Sequence, residues 1–379
     1  MDFELTEEQR DFQKLAHDFA EREMRPVAAE LDEKEEMPWE VLKKAQRIGL
    51  LSYFYPEEYG GGGMESVFTH GIIGEELSWG CAGITTAMGG CSLAATPILA
   101  MGTEEQKAKY VPLFCDPEKV RLGAFALTEP EAGSDVAGLR TTAERKGDRY
   151  IINGTKCFIT NGGIADLYVV FASTDRSRGS KGISAFIVPG DAPGISLGKK
   201  EHKMGVRCSH TGMIHFDNVS VPAEDLLGQE GKGFIGAMQT FDRSRNHVGA
   251  AAVGVARAAF EVARDYAKER VQFGKPIIQQ QAIGFMLADM ATRIDAARLL
   301  NWHSAWLADK GLPCTKETSM AKAFATDMAM EVATNAVQVL GGYGYMREYP
   351  LEKWMRDVKI MQIYEGTNQI QRLVIVNQL

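Results

Sequence analysis

Near the C-terminus, Ile363-Tyr364-Glu365-Gly366-Thr367-Asn368-Gln369-Ile370-Gln371 sets a carboxylate between an aromatic ring and a glycine. Apolar neighbours disfavour the charged form of a glutamate, so its pKa rises toward the working pH of a general base. The plainer reading is a helix start with Thr367 near the cap. Four further segments carry groups suited to a flat, phosphate-bearing ligand. In Leu127-Thr128-Glu129-Pro130-Glu131-Ala132-Gly133-Ser134-Asp135, proline and glycine fix an irregular turn that presents two hydroxyls and several backbone N–H groups. An ordinary strand-connecting loop would look the same. Phe158-Ile159-Thr160-Asn161-Gly162-Gly163 offers an aromatic face and a hydroxyl beside paired glycines, or else core packing and a turn. Arg270 and Lys275, in Arg270-Val271-Gln272-Phe273-Gly274-Lys275, suit a phosphate, or equally the negative end of the helix they follow. Gln338-Val339-Leu340-Gly341-Gly342 breaks a helix with glycines, which permits close backbone approach to a ligand or serves as a simple cap.

Two other clusters are decoys. Gly228-Gln229-Glu230-Gly231-Lys232-Gly233 lacks the spacing and the Ser/Thr of a phosphate-binding P-loop, and no βαβ unit surrounds it. Cys208, His210 and His215 are metal-capable, but strand alternation splays them and no fourth ligand is near. No metal is expected.

Three blocks of chain must position these groups. From about Thr6 to Leu113 the pattern is helical: Thr6 caps an acidic first turn, Phe12, Leu15, Ala16 and Phe19 recur at helical spacing, and 66–80 and 103–113 are further helices. From about Arg121 to Val221, short apolar runs at 150–152, 167–171 and 183–188 alternate with Gly-Asp, Asn-Gly and Pro-Gly turns. This predicts an antiparallel β domain that could close into a small barrel. From about Lys232 the helical period returns, with apolar stripes Ile283/Met286/Leu287/Met290/Ile294/Ala297 and Ala325/Met328/Val332/Ala336/Val339 typical of bundle helices. The fold class is α+β, with domains expected at 1–118, 119–228 and 229–379.

Composition excludes several classes. The formal charge of -8, with both signs interspersed, argues against a nucleic-acid partner. No run of eighteen apolar residues suggests a membrane span. The six cysteines are scattered without a CxxC pair, as in a reducing compartment. The acidic start, Met1-Asp2-Phe3-Glu4-Leu5-Thr6, resembles neither a secretory signal nor an Arg-rich transit peptide. A bacterial-type cytoplasmic location is expected, or the mitochondrial matrix only if this is a processed form.

Any one of the five segments is weak. In this order and spacing, over nearly the whole chain, they resemble the acyl-CoA dehydrogenase family, with its short- and medium-chain straight-acyl branch nearest. The resemblance implies an N-terminal α-helical domain, a middle β domain and a C-terminal four-helix bundle, in agreement with the three blocks. It implies FAD. Phe125, Leu127 and Thr128, with Phe158 and Thr160, would flank the flavin ring, Thr160 near N5. Ser134 would lie between flavin and CoA. Arg270, Gln272 and Phe273 would reach the FAD of a neighbouring subunit, as would Gln338, Gly341 and Gly342, and Gln281 would also bind the cofactor. Thr367 and Gln369 would contact cofactor beside the base. Asp242 and Arg245 would line the CoA-thioester channel, with Tyr364 and Gly366 beside it and Cys91 and Ala95 at its deep end.

The implied reaction is α,β-dehydrogenation of an acyl-CoA to the trans-2-enoyl-CoA. Glu365 would take the α-proton, flavin N5 the β-hydride, and an electron-transferring flavoprotein the electrons. Sharing of FAD across subunits implies a homotetramer, a dimer of dimers. Some relatives carry the base on an earlier helix, near the position of Ser244, but here that residue cannot serve. The small residues of Met88–Ala95 suggest room for a longer or bulkier acyl chain, alicyclic or aromatic. An oxygen-using flavin enzyme on the same fold is disfavoured because nitroalkane-oxidising relatives carry Asp at the base position. A non-catalytic binding protein is disfavoured by Glu365, Thr160 and Arg270.

Overall fold

Thr6 opens the first helix, α1 (Glu7–Phe19), through a reciprocal cap: its hydroxyl accepts from the Gln9 N–H, and the Gln9 side-chain oxygen accepts from the Thr6 N–H. The computed structural model describes residues 4–379, apart from the side chain of Arg243, so Met1–Phe3 of the acidic start lie outside it. The chain continues through a π-turn into α2 (Arg25–Lys34), then α3 (Trp39–Arg47), α4 (Val67–Gly80), α5 (Ala82–Gly90), α6 (Ala95–Met101) and α7 (Glu104–Tyr110). Ser66 and Thr103, the expected starts, cap α4 and α7.

The middle block holds β1 (Gly123–Ala126), β2 (Thr142–Lys146), β3 (Arg149–Thr160), β4 (Leu167–Ser173), β5 (Ile183–Pro189), β6 (Ile195–Lys200), β7 (Thr211–Pro222) and β8 (Leu226–Leu227), in the order β6-β7-β3-β2-β4-β5-β8 with β1 against β4. Most neighbours are antiparallel, as expected. The pairs β1–β4 and β2–β4 are parallel, because the chain crosses over through the 127–141 loop between β1 and the β2–β3 hairpin. The sheet folds over its own apolar face, where Tyr168 meets Phe216 and Tyr150 meets Phe186, without pairing its two ends.

The last block is a bundle of α8 (Gly233–Glu269), α9 (Gln281–Asp309) and α10 (Thr315–Leu340). The shorter α11 (Leu351–Val358) and α12 (Asn368–Val376) follow as a broken fourth member. A two-residue ladder, β9 (Val271–Gln272) with β10 (Lys275–Pro276), turns the chain between α8 and α9. Helix α4 is enclosed by the bundle. Its buried Glu75 pairs with Arg257 of α8 at 3.1 Å and Arg298 of α9 at 3.0 Å. The two helical blocks therefore share one apolar core. Among the described residues no single helix is long and apolar enough to cross a membrane.

Candidate active site

Glu365 sits where α11 has ended and α12 has not begun. Its backbone is left-handed (φ 58°), as is that of Gly366 (φ 86°). A β-carbon on Gly366 would come within 2.8 Å of Gln371 Nε2, so only glycine fits. Gln371 donates to the carbonyls of Glu365 (3.1 Å) and Gly366 (3.0 Å). The fully buried Lys322 of α10 donates to the Gly366 carbonyl (2.8 Å) and to Asn368 Oδ1 (2.9 Å). Thr367 caps α12 by accepting from the Ile370 N–H at 3.2 Å. The helix start and the reactive carboxylate are thus one device: cap, lysine and glutamine hold a strained residue that a helix alone would not impose.

Burial pushes the Glu365 carboxyl above the ordinary carboxylate range, while the Ser244 hydroxyl bond, then Arg245 and Lys322, pull it back. Ser244 Oγ of α8 donates directly to Glu365 Oε2. That contact places the alternative base position of the family against Glu365. Arg245, also buried, pairs with Asp242 at 2.7 Å, and Asp242 accepts from Thr315 Oγ1 at 3.1 Å. The Arg245 Nε is buried with no hydrogen-bond partner. Tyr364, beside the base, bonds to Thr86 of α5, and burial raises its phenol. One expected outcome follows. Ser244→Ala removes a bond that favours the carboxylate, so the acid limb of the pH–rate profile moves up by about one pH unit. Stopped-flow flavin reduction from pH 5 to 9 measures it; a downward shift or none contradicts the arrangement.

The loop 127–135 is built on a buried ion pair. Lys156 Nζ lies 2.7 Å from Glu129 Oε1 and 2.9 Å from the Leu127 carbonyl, and Glu129 also accepts the N–H groups of Arg140 (2.5 Å) and Thr141 (3.0 Å). Thr128 and Ser134 are left half-buried and exposed respectively. Phe125 of β1 contacts Phe241 of α8 at 5.5 Å, which brings the start of this loop against the helix carrying Asp242, Ser244 and Arg245. A register shift between Lys156 and Ile159 everts Phe158, left-handed (φ 57°) and 66% exposed. The end of β3 presses on α5: a β-carbon on Gly90 would approach Thr160 Cγ2 to 3.3 Å.

The remaining segments meet elsewhere. Arg270, Gln272 and Phe273 share a groove of about 610 Å³ with Gly341, Gly342 and Tyr343. Phe273 is again left-handed (φ 54°) and 94% exposed. β-Carbons on Gly341 and Gly342 would meet nothing. Gln281, Gln338 and Gln369 are exposed. Open glycines, an exposed guanidinium over the Tyr343 ring and an aromatic face held in a costly conformation fit a flat, phosphate-bearing cofactor such as FAD.

Cys91 and Ala95, at the end of α5 and the start of α6, are buried, 4% and 0% exposed, while Thr85, Thr86 and Gly89 of α5 are more open. Cys208, His210 and His215 have separate neighbours: Cys81, the Gly162 carbonyl and Thr155. Sequence gives no role to Lys322, Gln371 or the Glu129–Lys156 pair, and names Ser244 only as the family's alternative base position. A lysine interrupting the buried stripe of α10, and another in register with Ile152 on the inward face of β3, were the available signals.

Comparison with known proteins agrees with this geometry. Residues 6–118, 124–219 and 231–379 match the N-terminal, middle and C-terminal domains of acyl-CoA dehydrogenase. An acyl-CoA dehydrogenase of Bacillus subtilis (strain 168) is 49% identical, over 99% of this chain and 98% of its own. The structure of butyryl-CoA dehydrogenase from Megasphaera elsdenii superposes with a TM-score of 0.96 at 46% identity, covering 100% of this chain and 99% of the other. A chain from a study of the electron transferring flavoprotein of Acidaminococcus fermentans, concerned with flavin-based electron bifurcation, gives 0.96 at 48% identity, with the same coverage. The chain therefore belongs to the acyl-CoA dehydrogenase family of flavin-dependent oxidoreductases.

Proposed function

We propose that this protein converts a short acyl-CoA to its trans-2-enoyl-CoA, with Glu365 removing the α-proton. The observation that carries the reading is the Glu365 carboxylate itself: raised by burial, held on a left-handed loop, and hydrogen-bonded by Ser244. An α-proton next to a thioester is weakly acidic, so a base with a raised pKa inside a water-poor site suits the step. The backbone N–H of Glu365 can donate to the thioester oxygen as negative charge develops there. Asp242 and Arg245 line the approach, their ion pair fixing both side chains. The loop from Leu127 to Ser134, with Phe158 and Thr160, holds the isoalloxazine. The Arg270–Phe273 and Gln338–Gly342 groove holds the distal part of FAD from a neighbouring subunit. FAD, when bound, supplies the acceptor for the β-hydride.

Sharing of that kind goes with a homotetramer, and exposed Phe273, Phe285, Leu373 and Val376 supply apolar surface for it. The electron acceptor is an electron-transferring flavoprotein, supported by the company in which the Acidaminococcus relative was studied. Anaerobic titration with straight-chain, alicyclic and aromatic acyl-CoAs tests the reading. A yellow preparation bleached by a short acyl-CoA supports it. Turnover that consumes oxygen without an added acceptor contradicts it.

A further inference from the structure

The face of α8 that carries Ser244 continues past it. From Ser244 to Ala252, only Ser244, His247 and Ala251 escape full burial, spaced three and four residues apart. His247 is exposed, yet α4, α9 and α10 pack around this helix, and burial, aided by His70, pushes its imidazole down to about 3. A side chain both open and deep faces an internal space. Helix α4 turns the same kind of face: beyond its first turn, where Val67 and Phe68 are half-buried, only His70 and Gly74 escape full burial, and a β-carbon on Gly74 would meet nothing within 4 Å. On α5, Thr85, Thr86 and Gly89 do likewise, and a β-carbon on Gly89 also meets nothing. The α8 face begins at the residue bonded to Glu365, and the α5 face includes the residue bonded to Tyr364. Helix α4 packs against both α8 and α5, so the three faces border the space beside the base into which an acyl chain would extend.

Two imidazoles stand in its wall. The His70 and His247 rings lie 5.4 Å apart, inclined at 54°. His70 Nε2 is 2.7 Å from the Met64 carbonyl. A carbonyl only accepts, so Nε2 carries the hydrogen. Burial lowers the His70 pKa, so the ring is neutral and its Nδ1 is a bare acceptor. His247 has no hydrogen-bond partner among the described residues and, being neutral, offers one donor and one acceptor. An aliphatic chain would leave these buried groups unsatisfied, and a carboxylate would bring an uncompensated charge. A hydroxyl satisfies both rings at once, donating to His70 Nδ1 and accepting from the His247 N–H.

We propose that His70 and His247 form a polar recognition point in the acyl cavity and select an acyl-CoA whose acyl group carries a hydroxyl away from the thioester. The proposal rests on Glu365 being the base. Paired acyl-CoAs of equal length, four to eight carbons, plain and ω-hydroxylated, are compared by anaerobic flavin bleaching with the FAD-loaded protein. Wild type is expected to favour the hydroxylated member at one or more lengths by about tenfold. His247→Leu should reverse that preference while plain chains still bleach. His247→Gln, which keeps a donor and an acceptor, should retain it, and FAD content reports whether each variant folds. A wild type that favours the plain chain at every length overturns the proposal. So does a preference unchanged in His247→Leu. Bleaching by plain acyl-CoAs in either case leaves the reading of Glu365 standing, whereas no bleaching by any member overturns both.

Discussion

Glu365→Gln is expected to retain FAD and bind acyl-CoA, yet to reduce its flavin more slowly than wild type by a factor of about 10³ or more. General-base catalysis contributes about 10²–10⁴ in rate, and the amide cannot accept the proton at all. The substitution preserves shape. The Ser244 hydroxyl can still donate to the amide oxygen, while Gln371 and Lys322 hold the loop through backbone carbonyls, not through the carboxylate. Folding, cofactor content and ligand affinity are therefore expected near wild type. Rapid mixing with a bleaching acyl-CoA, with binding followed separately by the spectral shift of oxidised flavin, distinguishes lost chemistry from lost binding. Near wild-type reduction would move the base elsewhere.

The second large effect is on stability and cofactor retention. Lys156 is fully buried and, among the described residues, its one carboxylate partner is Glu129, itself 5% exposed. Glu129→Ala strands that ammonium and leaves the Arg140 and Thr141 N–H groups without their acceptor. Removing one member of a buried pair costs about 3–5 kcal/mol, a large part of the roughly 5–15 kcal/mol that stabilises a typical domain. Because the pair fixes the loop from Leu127 to Ser134, FAD should be lost before the chain unfolds. The double variant Glu129→Leu with Lys156→Met should recover most of the stability, since the penalty belongs to the unpaired charge and not to the absence of the pair. Denaturant unfolding of the two single variants and the double variant checks this. A single-variant cost below about 1 kcal/mol would show that the loop is held by other contacts.

What was readable in sequence follows from which interactions are local. Thr6 with Gln9 and Thr103 with Gln106 close their caps within one helical turn, so the helix starts stood where the residues placed them. The stripe from Ala325 to Val339 is buried at each expected position. Glu365 could be singled out because its neighbours in sequence are also its neighbours in space. Its bond to Ser244 could not be read, since only the tertiary fold brings α8 against the loop before α12. Strand alternation alone would have turned Phe158 by its parity; the bulge after Lys156 decides its direction, and a bulge has no simple periodic signature. The family resemblance sets Cys91 and Ala95 at the deep end of the cavity. Thr86 and Gly89 lie on the more open side of α5, a matter of helix phase that the composition of the segment does not give. His70 and His247 are far apart in sequence and meet only across α4 and α8.

The central claim, that Glu365 takes the α-proton, can be separated from the redox step. An acyl-CoA with no hydrogen on its β-carbon, such as 3,3-dimethylbutyryl-CoA, can lose an α-proton but cannot complete dehydrogenation. Incubated with the protein in deuterium oxide and followed by mass spectrometry, it should take up deuterium at the α-carbon with wild type and not with Glu365→Gln. Equal exchange by the two proteins would contradict the assignment.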